Sequence, residues 1–539
     1  MLLGGIAGLR VDDDSYQHYA RSVQELASGG LTPWLTDLWN KPLPGLLFGT
    51  AGSWGILGAR AVAVALSAST VLLTVKLSEQ LIPASVRSAR WTLVALCVCQ
   101  MAFMKDAFVT MTEIPAACLL VLALWLQLVG QRPALAAVCV GLVPLCRIEM
   151  LPTAGFFAGV SALTNFGRLS GWPRIRRSAG LLLLAGLPVV LWYCAAAAVT
   201  HDVAWFRHDA YGRWRAWDLA GLWRYNVLSG LCAVLPPPAL LCFFLGLFAA
   251  SRLLTRAQST LLLGCLLTHY FVLNALDVFP RGVEGIPDRH AVAAVNARNY
   301  SSTAPIAAVM MMLGLWALIQ ANRSQNRAFA LKHIVGAAVP SAWAVGVGRI
   351  GNRAQLVSEL VMLGLTTLAV ALWAARPRLS PATLWNSAAL VCLFGTVVIR
   401  PFFWYPTRWN DQREQAIEAL AVVIREREPA VTVQDIAAAL EFLGHLRSDA
   451  TWTWPNEFPQ RILAAAGPTL LVVEVDASGK PLTRYPSAVS ACLTDAAEVA
   501  QFESPKQPNW VAAIDRLSAR NHPVHWRAYW VTDRCRSQQ

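Results

Sequence analysis

Residues 179–199, AGLLLLAGLPVVLWYCAAAAV, run for 21 positions without a charged side chain. A helix rising 1.5 Å per residue over that length reaches about 30 Å, the thickness of a bilayer's hydrocarbon core. Arg174, Arg176 and Arg177 stand immediately before the run, and basic residues beside an apolar span mark its cytoplasmic end. Working outward, comparable runs occupy 57–78, 91–104, 113–130, 133–148, 150–165, 227–250, 258–276, 302–321, 334–348, 356–375 and 383–399. The reading is a polytopic α-helical membrane protein with about 12–13 transmembrane helices. Composition agrees: 56% of residues are hydrophobic and 14% charged, against about 25% charged in ordinary soluble domains.

The charge is unevenly spread. Residues 401–539 hold 14 Lys+Arg and 16 Asp+Glu, leaving 31 against 16 in residues 1–400. A basic membrane part reports cytoplasmic loops rather than nucleic acid binding. The basic loops alternate: Lys76/Arg87/Arg90, Arg132, Arg168 to Arg177, Arg252/Arg256, Arg323/Arg327/Lys332 and Arg376/Arg378. Loops 10–56, 105–112, 147–150, 200–226 and 277–301 then face outward, as does 349–355, RIGNRAQ, the odd one out because it is basic. MLLGGIAGL, residues 1–9, is half a span, and it lacks the basic start and small-residue cleavage site of a signal peptide. With a first span counted, the tail after Phe402 is also extracytoplasmic, and the whole sits in the plasma (inner) membrane.

The tail changes character. DQREQAIEALAVVIREREP reads as an amphipathic helix, PTLLVVEVD as a buried strand closed by ASGK, PNWVAAIDRLSARN as a second helix and VHWRAYWVTD as a last strand. Residues 401–539 are therefore expected to form a small soluble α/β domain beside a membrane domain spanning 1–400. Ten of the 12 cysteines lie in or beside apolar runs; Cys492 and Cys535, in the tail, could pair if the tail is extracytoplasmic.

Chemistry-bearing residues gather on the outward side. Asp12, Asp13 and Asp14 open the first loop, and DDSYQHYARSVQELASG, which takes in the last two of them, has the spacing of a surface helix with Tyr16, Tyr19, Val23 and Leu26 on one face. Lys41 follows, then Lys105, Asp106 and Glu113 flanking one loop, Arg147 and Glu149 in CRIEML, and Arg281, Asp288, Arg289 and Arg298 before the span at 302–321. Ionisable groups pressed against apolar spans are expensive, which makes them functional candidates. Hydrated interfacial charge is the bland alternative, and it suits Asp106 beside Lys105; Glu113 also fits simple helix N-terminal electrostatics. Tryptophans in 200–226 ordinarily just anchor helices at the interface.

DDDSYQHYAR resembles the first outward loop of the GT-C glycosyltransferases, polytopic enzymes that use polyprenyl-phosphate-linked sugars and include the lipid A aminoarabinose transferases and the family 39-like protein O-mannosyltransferases. Asp12-Asp13, Tyr16, Ala20 and Arg21 fill the places of the acidic pair, Tyr, Ala and Arg of that pattern. NKPLPGLLFGTAGSWGILGAR is similar to its Lys-Pro-Pro-Leu stretch and following Gly…Arg, Glu113 stands at its acidic span opener, LCRIEML looks like its Arg-x-Glu, and ARNYSSTAPIAAVMM its Arg-Tyr…Pro. Two places depart: Lys-Pro-Leu-Pro replaces Lys-Pro-Pro, and Ser15 stands before Tyr16 where the aminoarabinose enzymes carry a phosphate-contacting Arg.

The resemblance implies an inverting transfer from a polyprenyl-phosphate sugar to a lipid, glycan or protein acceptor. Asp12 is the implied base with Asp13 beside it, and Glu113 orients acceptor or sugar. Lys41, Arg147 and Arg298 are the implied cations for the leaving phosphate, with Arg213 a further one. Tyr16 stacks on sugar or isoprenoid, and Glu149, His208, Arg213 and Tyr300 complete the substrate contacts. A divalent cation, Mg²⁺ or Mn²⁺, would find hard oxygens in Asp12, Asp13 and Glu113. The competing classes are a secondary transporter or flippase, which would show midplane acids and repeated halves, and a non-catalytic membrane scaffold.

Overall fold

The computed structural model describes residues 13–27, 30–38, 41–82, 87–107, 109–165, 170–207, 216–217, 230–232, 234–277, 297–324, 327–348, 353–375, 380–394, 412–427, 431–434, 469–476, 478–481, 497–503 and 525–531. The chain divides into two units, one of Glu25–Ser53 and Leu57–Arg400, the other of Met1–Gln24, Trp54–Ile56 and Pro401–Gln539.

In chain order the helices are α1 (Asp13–Ala27), α2 (Leu31–Thr36), α3 (Pro42–Gly52), α4 (Ile56–Leu81), α5 (Arg87–Val98), α6 (Met101–Asp106), α7 (Glu113–Leu128), α8 (Pro133–Cys146), α9 (Leu151–Asn165), α10 (Trp172–Thr200), α11 (Pro237–Leu253), α12 (Arg256–Ala275), α13 (Ala304–Arg323), α14 (Arg327–Gly348), α15 (Arg353–Ala375), α16 (Pro381–Phe394) and α17 (Gln412–Arg427). Five segments among the described residues, within α4, α10, the turn leading into α13 and α13 itself, α14 and α15, are long and apolar enough to cross a membrane, and α5, α7, α8, α11 and α16 contain shorter apolar helices. The apolar runs of the sequence thus become helices, with two instructive differences. The run at 91–104 is broken between α5 and α6, where Gln100, fully buried, donates its amide to Leu96 O and Ala304 O. A buried amide must find acceptors, and satisfying it there pins the break against the start of α13. In the run at 227–250, residues 230–232 and 234 are helical and α11 starts afresh at Pro237, where Pro236–Pro238 cannot donate backbone hydrogen bonds and a proline fits the first helical position.

Burial separates core from lipid-facing helices. All of the apolar window of α13 is buried, against 11% for α10 and 17% for α15. A helix apolar all round belongs in the centre of a bundle. It packs most closely on α11. A Cβ at Gly246 would collide with the carbonyl of Met310, and one at Gly314 with that of Cys242, so glycine at both positions lets the two backbones touch. Around this pair α7 packs on α8, α8 on α10, α9 on α12, and α5 on α16, the last tied by Thr92 Oγ1 donating to Trp385 O at 2.9 Å. Trp192 on α10 donates to Leu35 O at 2.8 Å and packs with Leu35, Leu38 and Trp205. Two short strands, β1 (Ala216–Trp217) and β2 (Leu276–Asp277), pair antiparallel. They join residues 216–217 to the end of α12.

In the other unit, β3 (Val431–Gln434), β4 (Thr469–Val475), β5 (Ala497–Glu503) and β6 (His525–Val531) form a sheet in the order β3-β4-β6-β5. β3 runs parallel to β4; the other pairs are antiparallel. Leu470 and Val472 of β4 and Trp526 and Ala528 of β6 pack with Leu420 of α17, and Phe502 stacks on Trp526. The turn after β4 is closed by Asp476, whose Oδ1 accepts from the Ser478 and Lys480 amides, with Gly479 at φ +80°. This is the small α/β domain expected of the tail; β3 and β5 are strands that the sequence reading did not foresee, and its helix over 508–521 lies outside the described residues.

Candidate active site

The ends of α7, α8, α9, α12 and α13 converge on one buried cluster of charge. Glu113 is the first residue of α7, 1% exposed, where the unpaired amides of the helix start favour a carboxylate. Thr112 Oγ1 donates to its Oε2 at 3.2 Å. Arg147 caps the end of α8 in an extended conformation, its amide bonded to Val143 O, and its own carbonyl accepts from Met150 in the turn Ile148–Met150 that opens α9. That geometry turns the guanidinium inward. Nη1 pairs with Glu113 Oε1; Nη2 donates to Asn299 Oδ1 at 2.9 Å and lies 3.5 Å from Glu149 Oε1. Arg147 is 4% exposed and Glu149 6%.

Burial works against ionisation of Glu149, but the guanidinium of Arg147, then the ammonium of Lys41, outweigh it and hold the carboxyl below the usual carboxylate range. Lys41 is itself buried at the start of α3, donates from Nζ to Leu38 O, and has φ +61°. A non-glycine residue in the left-handed region is uncommon and persists where the surroundings over-determine it. Among the described residues, two carboxylates and two cationic side chains therefore meet in the protein interior. Unbalanced, such a cluster would be costly; balanced, it contributes little net stability compared with apolar packing, so stability alone does not account for it.

Of the sequence-derived site residues, Glu113, Arg147 and Glu149 come together, with Lys41 acting on Glu149. Tyr300 is buried in the turn Ala297–Thr303, directly after Asn299, its ring 5.2 Å from that of Tyr270. Gly230 lies against it so closely that a Cβ there would meet the Tyr300 ring. Asp13 and Tyr16 fall on α1 and Arg298 in the Ala297–Thr303 turn, described by their backbone; Asp12, His208 and Arg213 lie outside the described residues. Among the described residues no group of three or more His, Cys, Asp and Glu side chains is arranged to hold a metal. Glu113, the described member of the expected metal set, has its oxygens engaged by Arg147 and Thr112. Asp12 and the side chain of Asp13, the other two members of that set, lie outside the described residues.

Two residues of the cluster were not singled out from the sequence. Asn299 is the acceptor that fixes Arg147. His269, fully buried on α12, places Nε2 3.0 Å from Asn299 O. The signal for His269 was present: it is an ionisable side chain inside the apolar run 258–276. Asn299 carried no such signal, since an asparagine at a loop-to-helix junction is ordinary.

The fold is similar to that of ArnT. The solved structure of ArnT from Cupriavidus metallidurans, bound to undecaprenyl phosphate, aligns over 100% of this chain and 98% of its own, with a TM-score of 0.50 and 13% sequence identity. At that identity the likeness to ArnT shows the fold alone, here a bundle of apolar helices followed by a small C-terminal α/β unit. No protein-family model matches the sequence, and no curated protein does.

Proposed function

We propose that the protein is an integral-membrane inverting glycosyltransferase, moving a sugar from a polyprenyl-phosphate donor to a lipid, glycan or protein acceptor at the extracytoplasmic face. The observation that carries the reading is the buried Glu113–Arg147–Glu149 cluster, gathered at one end of a bundle whose fold ArnT shares. Charge at that depth needs a purpose beyond stability. The opposite ends of the same helices carry Arg132, Arg256 and Arg323, which by the positive-inside rule supports an outward-facing cluster.

In this reading the acceptor hydroxyl attacks the anomeric carbon from the face opposite the leaving group. The bond from that carbon to the phosphate oxygen breaks, and polyprenyl phosphate leaves. Asp12 takes the hydroxyl proton, a role that rests on the sequence resemblance; crowding by neighbouring carboxylates raises a base's proton affinity. Base catalysis supplies roughly 10²–10⁴-fold, and positioning and cations must supply the rest. Lys41 and Arg298 are the proposed cations for the departing phosphate. Arg147 has both terminal nitrogens committed to Glu113, Asn299 and Glu149. That supports a role for it in orienting the two carboxylates toward acceptor and sugar rather than in gripping the phosphate itself. No step is routed through a metal.

The test uses the full-length protein in lipid nanodiscs, supplied with polyprenyl-phosphate sugars extracted from bacterial membranes, with release of undecaprenyl phosphate followed by mass spectrometry. Release that disappears in Asp12→Asn, with that variant still inserted in the membrane, is the expected result. Full transfer by Asp12→Asn removes the base assignment, and absence of release by the wild type across the extracted donors removes the reading as a whole.

A further inference from the structure

We propose that His269 is a positioning residue of this site, holding Arg147 and through it Glu113 in place by way of Asn299; the inference rests on the cluster being the site of transfer. An imidazole in an apolar span, fully buried, is an expensive way to fill space that leucine would fill better. Its contacts say what it does there. Nε2 lies 3.0 Å from the carbonyl oxygen of Asn299. A carbonyl only accepts, so Nε2 carries the hydrogen and the tautomer is fixed by the backbone of the turn. Nδ1 has no hydrogen-bond partner among the described residues, and the hydrogen bond that anchors the ring to them runs through Nε2.

Asn299 is the junction. Its backbone oxygen receives His269 from α12, while its side-chain oxygen receives Arg147 Nη2 from the end of α8 at 2.9 Å. Arg147 in turn holds Glu113 at the start of α7 and faces Glu149. One chain of contacts, His269 to Asn299 to Arg147 to Glu113, thus fixes the relative placement of four helix ends. The turn that carries Asn299 is a short 3₁₀ segment, Ala297–Thr303, and the imidazole is a tether at its centre. Without it the amide of Asn299 is free to follow the turn, and the guanidinium loses the partner that sets its plane. Displacements near 1 Å at a reacting centre cost on the order of 100-fold in rate.

The test compares His269→Leu, which removes the donor, with His269→Gln, whose amide N–H can reach the Asn299 carbonyl. In the nanodisc transfer assay His269→Leu is expected to lower kcat on the order of 10–100-fold with the donor KM little changed, and His269→Gln to recover most of it. Wild-type kcat in His269→Leu, a loss confined to KM, or no recovery in His269→Gln each overturns the proposal. The second readout does not depend on transfer. In ¹⁵N-labelled protein the Arg147 guanidinium resonance, assigned by its loss in Arg147→Lys, is expected to shift in His269→Leu and hold in His269→Gln. An unmoved resonance in His269→Leu overturns the proposal even if the protein transfers no sugar. Should His269→Leu fail to fold, the wild-type histidine resonance, assigned by its loss in His269→Gln, decides: a protonated Nε2 and bare Nδ1 are required, and the reverse tautomer overturns it.

Discussion

Arg147 shows how one residue ties burial to pH. It is the shared partner of Glu113 and Glu149, and all three are nearly inaccessible to water. Arg147→Met leaves two buried carboxylates without that partner, a change that costs about 3–5 kcal/mol where a buried ion pair is broken from one side. Thermal unfolding in detergent should show a fall of that order at pH 7.5, and a smaller one for Arg147→Lys, which keeps the charge. The sign of the pH dependence follows from Glu149. Its carboxyl is held below the usual range against the opposing effect of burial. The stability its ionised form contributes is therefore complete above the unfolded carboxylate value, about 4.3, and is lost only as pH falls below it. In Arg147→Met the buried Glu149 carboxyl favours its neutral form instead, so the gap between variant and wild type should narrow as pH drops from 7.5 toward 5. A gap constant across that range would show that Arg147 does not hold the carboxylates ionised. Glu113, Arg147 and Glu149 were legible beforehand because ionisable residues beside apolar runs stand out in any sequence. What was not legible was that they meet, since Glu113 and Arg147 belong to different spans and pair only when α7 and α8 fold back on one another.

At the scale of elements, the strongest signal was apolar length and the weakest was interruption. The runs at 113–130, 133–148 and 258–276 became α7, α8 and α12 with ends shifted by a few residues. The break at Gln100 was hidden because one amide in an apolar run reads as tolerable polarity, whereas in the fold its hydrogen bonds to Leu96 and Ala304 end one helix and fix the next. β5 was hidden for a different reason: AEVAQFE lies at the sheet edge with an exposed face and half-buried positions, so it lacks the continuous apolar run that revealed β4. The crossing of α11 and α13 gives the prediction proper to this scale. Gly246→Ala puts a methyl into the Met310 carbonyl, an overpacking that typically costs about 1–3 kcal/mol. Gly180→Ala on α10 meets nothing within 4 Å and should be neutral or stabilising by up to about 1 kcal/mol through helix propensity. Unfolding midpoints of the two variants measured side by side test this, and equal midpoints would mean that α11 and α13 are not in backbone contact.

For the molecule as a whole, the decisive quantity is which way the bundle faces, because a lipid-linked sugar can be used only where its head group is presented. Orientation was read from loop charge alone, and the fold adds two constraints. The β1–β2 pairing places Ala216–Trp217 beside the end of α12, and the carboxylate–guanidinium cluster gathers the start of α7, the turn that leads into α13 and the end of α8. Arg132, between α7 and α8, and Arg323, ending α13, stand at the opposite helix ends. Loop 349–355, RIGNRAQ, opposes the charge rule, and it follows α14, whose other end bears Arg327 and Lys332. Since α14 is an apolar helix long enough to cross, the two basic ends compete, and the position of α14 in the bundle must decide between them. Reporter fusions separate the outcomes. Alkaline phosphatase joined after Asp202 or after Lys480 should be active, and green fluorescent protein joined after Gly130 or after Ser324 should fluoresce, while a fusion after Gly348 should behave as extracytoplasmic despite its charge. A cytoplasmic result after Asp202 would turn the cluster away from the face where an extracytoplasmic donor waits, and with it the proposed reaction.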